Sequence, residues 1–244
     1  MALVNSWEKQ GNFLFKYRGQ FPVLLFAMAI PFIYITDKSG IDTEIWNYSA
    51  ISLSVLGFLI RFYTIGTTPK GTSGRNTKQQ IADVLNSTGI YSVVRHPLYL
   101  GNYLIWIGIV VFVYNIYFII IVSLIYWLYY ERIMFAEERF LERKFTDNYI
   151  KWSEDRPAFI PSFRNYVKTK VKFSVKSILR REYAGLLATV IGYVFIDFAR
   201  NYLVSGNLMV TDEILNVLYV TIVLVLLLRS LKHYTSILDE KDRS

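Results

Sequence analysis

Apolar residues along this chain gather into six runs separated by polar and basic stretches. The runs cover residues 21–36, 46–65, 98–114, 116–134, 183–202 and 213–231. Most of them approach the roughly 20 residues that a helix needs to cross a hydrocarbon core, although the first is short and contains two prolines. The pattern predicts an all-α fold, a polytopic integral membrane helical bundle of about six transmembrane helices.

The basic residues give the orientation expected for this bundle. Of the 27 Lys and Arg residues, only Lys38 and Arg200 fall on one side, and the others fall on the side that holds both termini. Because Lys and Arg collect in cytoplasmic segments, both termini are predicted to be cytoplasmic. The first 20 residues lack the apolar core and small-residue cleavage site of a signal peptide.

Composition supports a membrane protein and argues against nucleic-acid binding. Hydrophobic residues make up 53% of the chain, charged residues make up 19%, and the mean hydropathy is +0.31. The net charge of +8 follows mostly from topology, with an added attraction to anionic lipid headgroups. The densest basic stretch is predicted to lie on the cytoplasmic leaflet as an ordinary positive-inside loop, with a substrate-binding patch as the alternative. This stretch, residues 164–181, contains no acid, and its basic residues are Arg164, Lys168, Lys170, Lys172, Lys176, Arg180 and Arg181.

The rare residue types exclude several kinds of chemistry. The chain has no cysteine, so it forms no disulfide and offers no thiolate nucleophile or sulfur ligand for a metal. Its two histidines, His96 and His233, lie far apart in sequence. No metal site is therefore predicted.

A polar loop follows the second apolar run. Residues 66–77 are rich in Gly, Thr and Ser, and therefore present many exposed backbone donors. Residues 78–89 are predicted to form a short amphipathic helix with Ile81, Val84 and Leu85 on one side.

The next feature is a polar cluster at the start of the third run, Arg95-His96-Pro97-Leu98-Tyr99-Leu100-Gly101. Polar side chains at a membrane boundary are costly and usually functional. The alternative is structural, with Arg95 and Tyr99 as interfacial anchors and Pro97 opening a helix.

A second polar region follows the fourth run. Residues 131–144 are rich in Glu and Arg and are predicted to continue the fourth helix out of the membrane, with a solvated helix face as the usual interpretation. The aromatic segment after it contains Tyr149, Trp152 and two prolines, and is too structured for a flexible linker.

Taken in order, these motifs resemble the isoprenylcysteine carboxyl methyltransferase and phospholipid N-methyltransferase superfamily. The matching elements are the Arg95–Gly101 motif, the acidic pair Glu137-Glu138 and the ending Arg156-Pro157-Ala158-Phe159-Ile160-Pro161. The resemblance implies one membrane domain, with a methyltransferase core at 46–163 and a basic linker plus two added spans at 164–244. The loop after the second run also resembles bacterial members, some of them similar to lipid A phosphate methyltransferases, so a bacterial inner membrane is expected.

The resemblance implies S-adenosylmethionine as methyl donor, bound in a cytoplasmic segment without a soluble Rossmann domain. The implied cofactor contacts are His96, Pro97, Tyr99, Leu100, Gly101, Glu137, Glu138 and Tyr149. The implied catalytic residues are Arg95, Glu138 and Arg156. Gly101 is expected to let the backbone approach the cofactor closely. Arg156 is expected to orient an anionic headgroup, or alternatively to pair with Glu154 or Asp155.

The predicted function is methylation of a carboxylate, phosphate or amine on a lipid-borne or apolar acceptor at the membrane. One alternative is an NADPH-dependent membrane sterol or enone reductase, because some reductases share a similar Arg-His-Pro element. Another is a transporter or scaffold, which would need ionisable residues deep inside the spans. The spans are nearly free of them, with Asp197 and Arg200 towards the outer end of the fifth.

Overall fold

The computed structural model describes residues 2–69, 71, 80, 82–241 and 243, and it describes Phe21 and Pro22 by their backbone alone. Within these residues the fold is entirely helical and contains no strand, as predicted. The helices are α1 (Leu3–Tyr17), α2 (Phe21–Ile35), α3 (Thr43–Gly66), α4 (Pro97–Val111), α5 (Ile116–Phe145), α6 (Asp147–Ser153), α7 (Val175–Ser205) and α8 (Asp212–Tyr234), with a short 3-10 helix at Gly89–Ser92.

The six apolar runs correspond to α2, α3, α4, α5, α7 and α8. Four of these, α3, α5, α7 and α8, are long and apolar enough to cross a membrane. The helices α2 and α4 have 15 residues each, and a helix of that length spans only about 22 Å. The prediction of a polytopic membrane bundle is confirmed, and the chain is an integral membrane protein.

Small residues bring α3 and α4 into close contact. A Cβ atom added at Gly57 would lie 2.6 Å from the carbonyl oxygen of Gly101, and one added at Gly108 would collide with Ser54. Small residues at a crossing let two helix backbones approach each other inside a membrane. This crossing holds α4 in the middle of the bundle, where its second half is buried.

The predicted continuous helix after the fourth apolar run is confirmed by α5. With 30 residues, α5 is about 45 Å long, whereas a hydrocarbon core is about 30 Å thick. Its last third therefore extends beyond the membrane. This extension carries Glu137 and Glu138.

The helix α1 was not predicted from the sequence. It packs along the second half of α5, where a Cβ atom added at Gly11 would collide with the backbone of Arg132. The guanidinium of Arg132 lies 3.5 Å from the centre of the Trp7 ring, and Arg143 forms a two-pronged ion pair with Glu8. The N-terminal segment is thus part of the folded protein at this end of the bundle.

The predicted amphipathic helix at 78–89 is wrong for the residues that are described. Residues 82–88 are irregular, while 78, 79 and 81 lie outside the described residues, as do 70 and 72–77 of the polar loop. The backbone here finds partners outside a helix, since Asp83 N donates to Gly71 O and Gly89 N donates to Val167 O. The sequence Asn86-Ser87-Thr88 also favours such alternatives, because its side chains compete for backbone hydrogen bonds.

Asp197 and Arg200 lie towards the end of α7, as expected, and both are buried. Asp197 accepts hydrogen bonds from the backbone and the side chain of Thr211, each at 2.8 Å. Arg200 donates to the carbonyl of Phe112 at 3.0 Å and packs against the ring of Tyr114. These contacts fasten the α4–α5 and α7–α8 connections to the last turns of α7.

Candidate active site

The Arg-His-Pro motif sits where the chain enters α4. His96 is the residue that precedes the helix, and Pro97 is the first helical residue, a position that suits proline. The backbone amides of Arg95 and His96 donate to the carbonyls of Pro157 and Ala158, at 2.9 and 3.1 Å. The fold thereby brings the first and third sequence motifs together.

The acidic pair on α5 meets His96 from the opposite side. Nε2 of His96 lies 2.9 Å from Oε1 of Glu138, and Nδ1 lies 3.6 Å from Oε2 of Glu137. The imidazole is only 6% exposed. With a carboxylate facing each ring nitrogen, the arrangement favours the doubly protonated, positively charged form.

The pKa of His96 reflects this environment. Burial on its own would lower the pKa, but the hydrogen bonds to Glu137 and Glu138, together with their negative charges, raise the pKa of His96 to about 9. At neutral pH the side chain is therefore a cation that holds two carboxylates in place.

Arg95 adds a second positive charge to the cluster. Its Nε lies 3.0 Å from Oε1 of Glu138, and its Nη1 donates to the carbonyl of Ser153 at 3.0 Å. The latter contact ties the end of α6 to the motif. Arg95 is therefore part of the cluster. The alternative interpretation of the sequence was that Arg95 serves as an interfacial anchor.

Aromatic side chains line the same region. The ring of Tyr99 stacks on His96 with a centroid separation of 5.6 Å, and its hydroxyl interacts with Glu137. Tyr149 and Trp152 from α6 pack together at 5.6 Å. Burial and the nearby charge of Glu138 raise the pKa of the Tyr149 hydroxyl, which therefore stays protonated as a donor.

Several buried donors in this region have no hydrogen-bond partner among the described residues. They are the hydroxyl of Tyr149, Nε1 of Trp152 and Nε of Arg156. Leaving a buried donor unsatisfied costs about 1–3 kcal/mol, so three of them in motifs that the fold brings together indicate a ligand site.

Arg156 does not form the salt bridge that was the alternative to a functional role. Among the ion pairs of the described residues, none joins Arg156 to Glu154 or Asp155. Instead, its Nη1 donates to the carbonyl of Trp152 at 2.7 Å. The guanidinium is thereby held beside the unsatisfied donors of α6.

Arg18 at the end of α1 is a site residue that sequence reasoning missed. Its positive charge acts on Glu137 and on Tyr99, and its guanidinium packs over the ring of Phe15 at 3.8 Å. Because α1 was not predicted, no pattern in the sequence indicated that Arg18 would come near the acidic pair.

A second missed feature is a buried ion pair that joins α3 to α7. Arg61 binds the carboxylate of Glu182 through two nitrogens, at 2.6 and 2.7 Å, and its third nitrogen binds the side chain of Asn102 at 2.5 Å. Asn102 in turn interacts with Tyr130, next to Tyr99. In the sequence, this pair is indicated by a basic residue near the end of the second apolar run and an acidic residue directly before the fifth.

Comparison with known proteins identifies the family. Residues 1–155 match a family described as a protein of unknown function, DUF1295. The chain is a member of the DUF1295 family.

The DUF1295 chain is also similar to the protein-S-isoprenylcysteine O-methyltransferase of Schizosaccharomyces pombe, with 27% identity over 120 residues. The similarity covers 47% of this chain and 51% of the relative, so the chain spans about half the length of the curated relative it matches. The superfamily predicted from the motifs is thereby confirmed. No solved structure matches the chain.

The DUF1295 match includes α1 and ends just before Arg156, so it contains most of the cluster. Two of the implied cofactor contacts, Pro97 and Leu100, are buried at the start of α4 and stay predictions. Gly101 differs, because a Cβ atom there would collide with Gly57 O and the Arg61 side chain at 2.9 and 2.6 Å. The close approach at Gly101 is therefore to α3, which explains the need for a small residue.

Proposed function

We propose that this protein is an S-adenosylmethionine-dependent methyltransferase that acts at the membrane on a lipid-borne or apolar acceptor. The observation that carries the proposal is the charged cluster of Arg95, His96, Glu137 and Glu138, which lies beside buried donors that lack partners. The similarity to an isoprenylcysteine methyltransferase supports the reaction type.

The polar and aromatic side chains around the cluster fit the chemical groups of S-adenosylmethionine. Carboxylates such as Glu137 and Glu138 suit its ammonium group and ribose hydroxyls. The unsatisfied O–H and N–H donors of Tyr149 and Trp152 suit its carboxylate. Aromatic faces near the site suit a sulfonium cation and an adenine ring.

S-adenosylmethionine, when bound, supplies an electrophilic methyl group on a positively charged sulfur. The side chains around it position the reactants and exclude water, because an in-line displacement depends chiefly on alignment. His96 is already protonated at neutral pH and cannot act as a base, so its task is to fix the two carboxylates. Glu138 is held by His96 and Arg95, and its negative charge acts on the Tyr149 hydroxyl of α6.

The acceptor that suits this site is an anion. A carboxylate or phosphate oxygen is already nucleophilic and needs no strong base. The cluster of Arg95, His96 and the two glutamates has no net charge, so the further positive charges of Arg18 and Arg156 favour an anionic headgroup. We place the site and both termini on the cytoplasmic side, in line with the distribution of Lys and Arg.

The experiment that tests this proposal is transfer of a radiolabelled methyl group from S-adenosylmethionine to total membrane lipid or to a prenylated cysteine. The purified wild type is expected to label an acceptor, and Glu138→Gln is expected to label at least tenfold less. Glu142→Gln is the matched control on the same helix, since Glu142 pairs with Arg139 outside the cluster at 2.6 Å. Absence of any labelled product, together with acceptor-dependent oxidation of NADPH, would favour the reductase and overturn the proposal.

A further inference from the structure

The segment that joins α6 to α7 is irregular, yet its backbone is anchored at several points. In addition to the bonds from Arg95 and His96, Ser162 N donates to Val93 O at 3.0 Å, and Val167 N donates to the hydroxyl of Ser92 at 2.9 Å. At its end, Ser174 N donates to Gly66 O at 2.8 Å. We call residues 157–181, which comprise this segment and the first turns of α7, the interfacial strip.

The outer face of the interfacial strip is both basic and apolar. Ile160 and Phe163 are each 76% exposed, and Tyr166 and Phe173 are about half exposed. Between residues 164 and 181 there is no acid. The exposed bases are Arg164, Lys168, Lys170, Lys172 and Lys176. Exposed aromatic side chains interleaved with lysines are typical of surfaces that lie in the headgroup layer of a membrane.

The length of α7 places the strip at that level. With 31 residues, α7 is about 46 Å long, which exceeds a hydrocarbon thickness of about 30 Å by several turns. Its first turns carry Lys176, Arg180 and Arg181, so these turns lie outside the hydrocarbon. The irregular part of the strip leads directly into them.

Among the described residues, the acids of the C-terminal tail meet the strip at its far end. Asp239 pairs with Arg180 at 2.5 Å, and Glu240 accepts a hydrogen bond from Ser177. No ion pair among the described residues involves Lys168, Lys170 or Lys172. These three lysines, like the exposed Arg164, carry positive charges that no acid among the described residues pairs with.

We infer that the interfacial strip binds anionic phospholipid headgroups and that this binding stabilises the backbone that holds Arg95 and His96. Phosphate groups complement the lysines in charge, and the interleaved aromatic side chains suit the region just below the headgroups. Because the same strip donates and accepts the hydrogen bonds that fix residues 89–96, ordering its outer face orders the site. The composition of the leaflet is thereby coupled to the site.

The test places the protein in nanodiscs of phosphatidylcholine alone or of equal parts phosphatidylcholine and phosphatidylglycerol, and measures backbone hydrogen exchange without any methyl donor. In wild type, phosphatidylglycerol is expected to slow exchange several-fold in peptides covering residues 89–96 and 157–174. The variant Lys168→Gln/Lys170→Gln/Lys172→Gln is expected to exchange at the same rate in both lipids.

The matched control is Lys9→Gln/Lys16→Gln/Lys144→Gln, which removes the same charge from exposed positions on α1 and α5. It should keep the wild-type response to phosphatidylglycerol. The inference would be overturned if wild-type protein exchanged at the same rate in the two lipids. It would also be overturned if the control variant lost the response to phosphatidylglycerol as completely as the strip variant. Since no methyl donor is present, failure of this test is separate from failure of the proposed reaction.

Discussion

His96 is the residue that allows two adjacent carboxylates to share one partly buried region. Glu137 and Glu138 would repel each other without the positive charges of His96 and Arg95. The structure places one carboxylate at each ring nitrogen of His96, at 3.6 and 2.9 Å. A site built in this way is sensitive to the charge of a single imidazole.

The first prediction concerns pH. The pKa of His96 in the folded protein is about 9, above the ordinary value of 6.5, so its charged form stabilises the fold fully below pH 6.5. That stabilisation is lost as the pH rises through 9. Thermal unfolding in detergent should show a Tm that falls over this range in wild type and falls less in His96→Gln. Parallel pH profiles of the two proteins would contradict the assigned charge.

The second prediction at the residue scale tests whether Arg156 faces the methyl acceptor or the methyl donor. Arg156→Gln removes the cation proposed to face an anionic acceptor, so the KM for the acceptor should rise on the order of tenfold. Affinity for S-adenosylhomocysteine should change much less. Lys151→Gln, which removes an exposed positive charge from α6 outside the interfacial strip, serves as the control. A loss confined to the affinity for S-adenosylhomocysteine would contradict this role and show that Arg156 faces the methyl donor.

The sequence predicted which residues form the cluster better than how they are arranged. Arg95, His96, Glu137 and Glu138 could be singled out because a polar motif beside an apolar run stands out, and because the order of motifs resembles a known superfamily. The position of Gly101 against α3 and the charge of Arg18 near Glu137 depend on helix packing. No local pattern in the chain encodes those contacts.

Among the helices, α1 contributes most that was not expected. It is anchored on α5 by Gly11, Trp7 and the pair of Glu8 with Arg143, and it carries Arg18 towards the acidic pair. Long apolar helices were predictable from composition alone. A helix that owes its position to one small residue and a few polar contacts was not.

The prediction for α1 uses a matched pair of glycines. A Cβ atom at Gly11 would collide with the backbone of Arg132, whereas one at Gly19 has no neighbour within 4 Å. Gly11→Ala should therefore lower the Tm and weaken donor binding, since α1 must shift away from α5 together with Arg18. Gly19→Ala should leave both close to wild type. Unchanged donor binding in a clearly destabilised Gly11→Ala protein would exclude α1 from the site.

At the scale of the whole molecule, the pair of Arg61 and Glu182 connects the DUF1295 region to the two C-terminal helices. The family match ends at residue 155, while Glu182 belongs to α7 and is 5% exposed. The two C-terminal helices are therefore fastened to the region that matches the family by a buried, two-pronged ion pair. The sequence predicted the spans, but pairing between residues 121 positions apart depends on the fold.

Breaking this ion pair should be costly. Arg61→Gln leaves the carboxylate of Glu182 buried without its partner, and such changes destabilise proteins by about 3–5 kcal/mol. The double variant Arg61→Gln/Glu182→Gln should recover much of the loss, because no charge is then left unpaired. Equilibrium unfolding in detergent measures both. Equal destabilisation of the single and double variants would contradict this role of the pair.

The central claim is that the cluster around His96 binds S-adenosylmethionine, and calorimetric titration with S-adenosylhomocysteine tests it most directly. Folded wild-type protein in detergent should bind the product saturably, and His96→Gln and Glu138→Gln should each bind at least tenfold more weakly. Glu142→Gln should bind like wild type. Absence of binding by folded wild-type protein, with binding of NADPH in its place, would contradict the methyltransferase assignment.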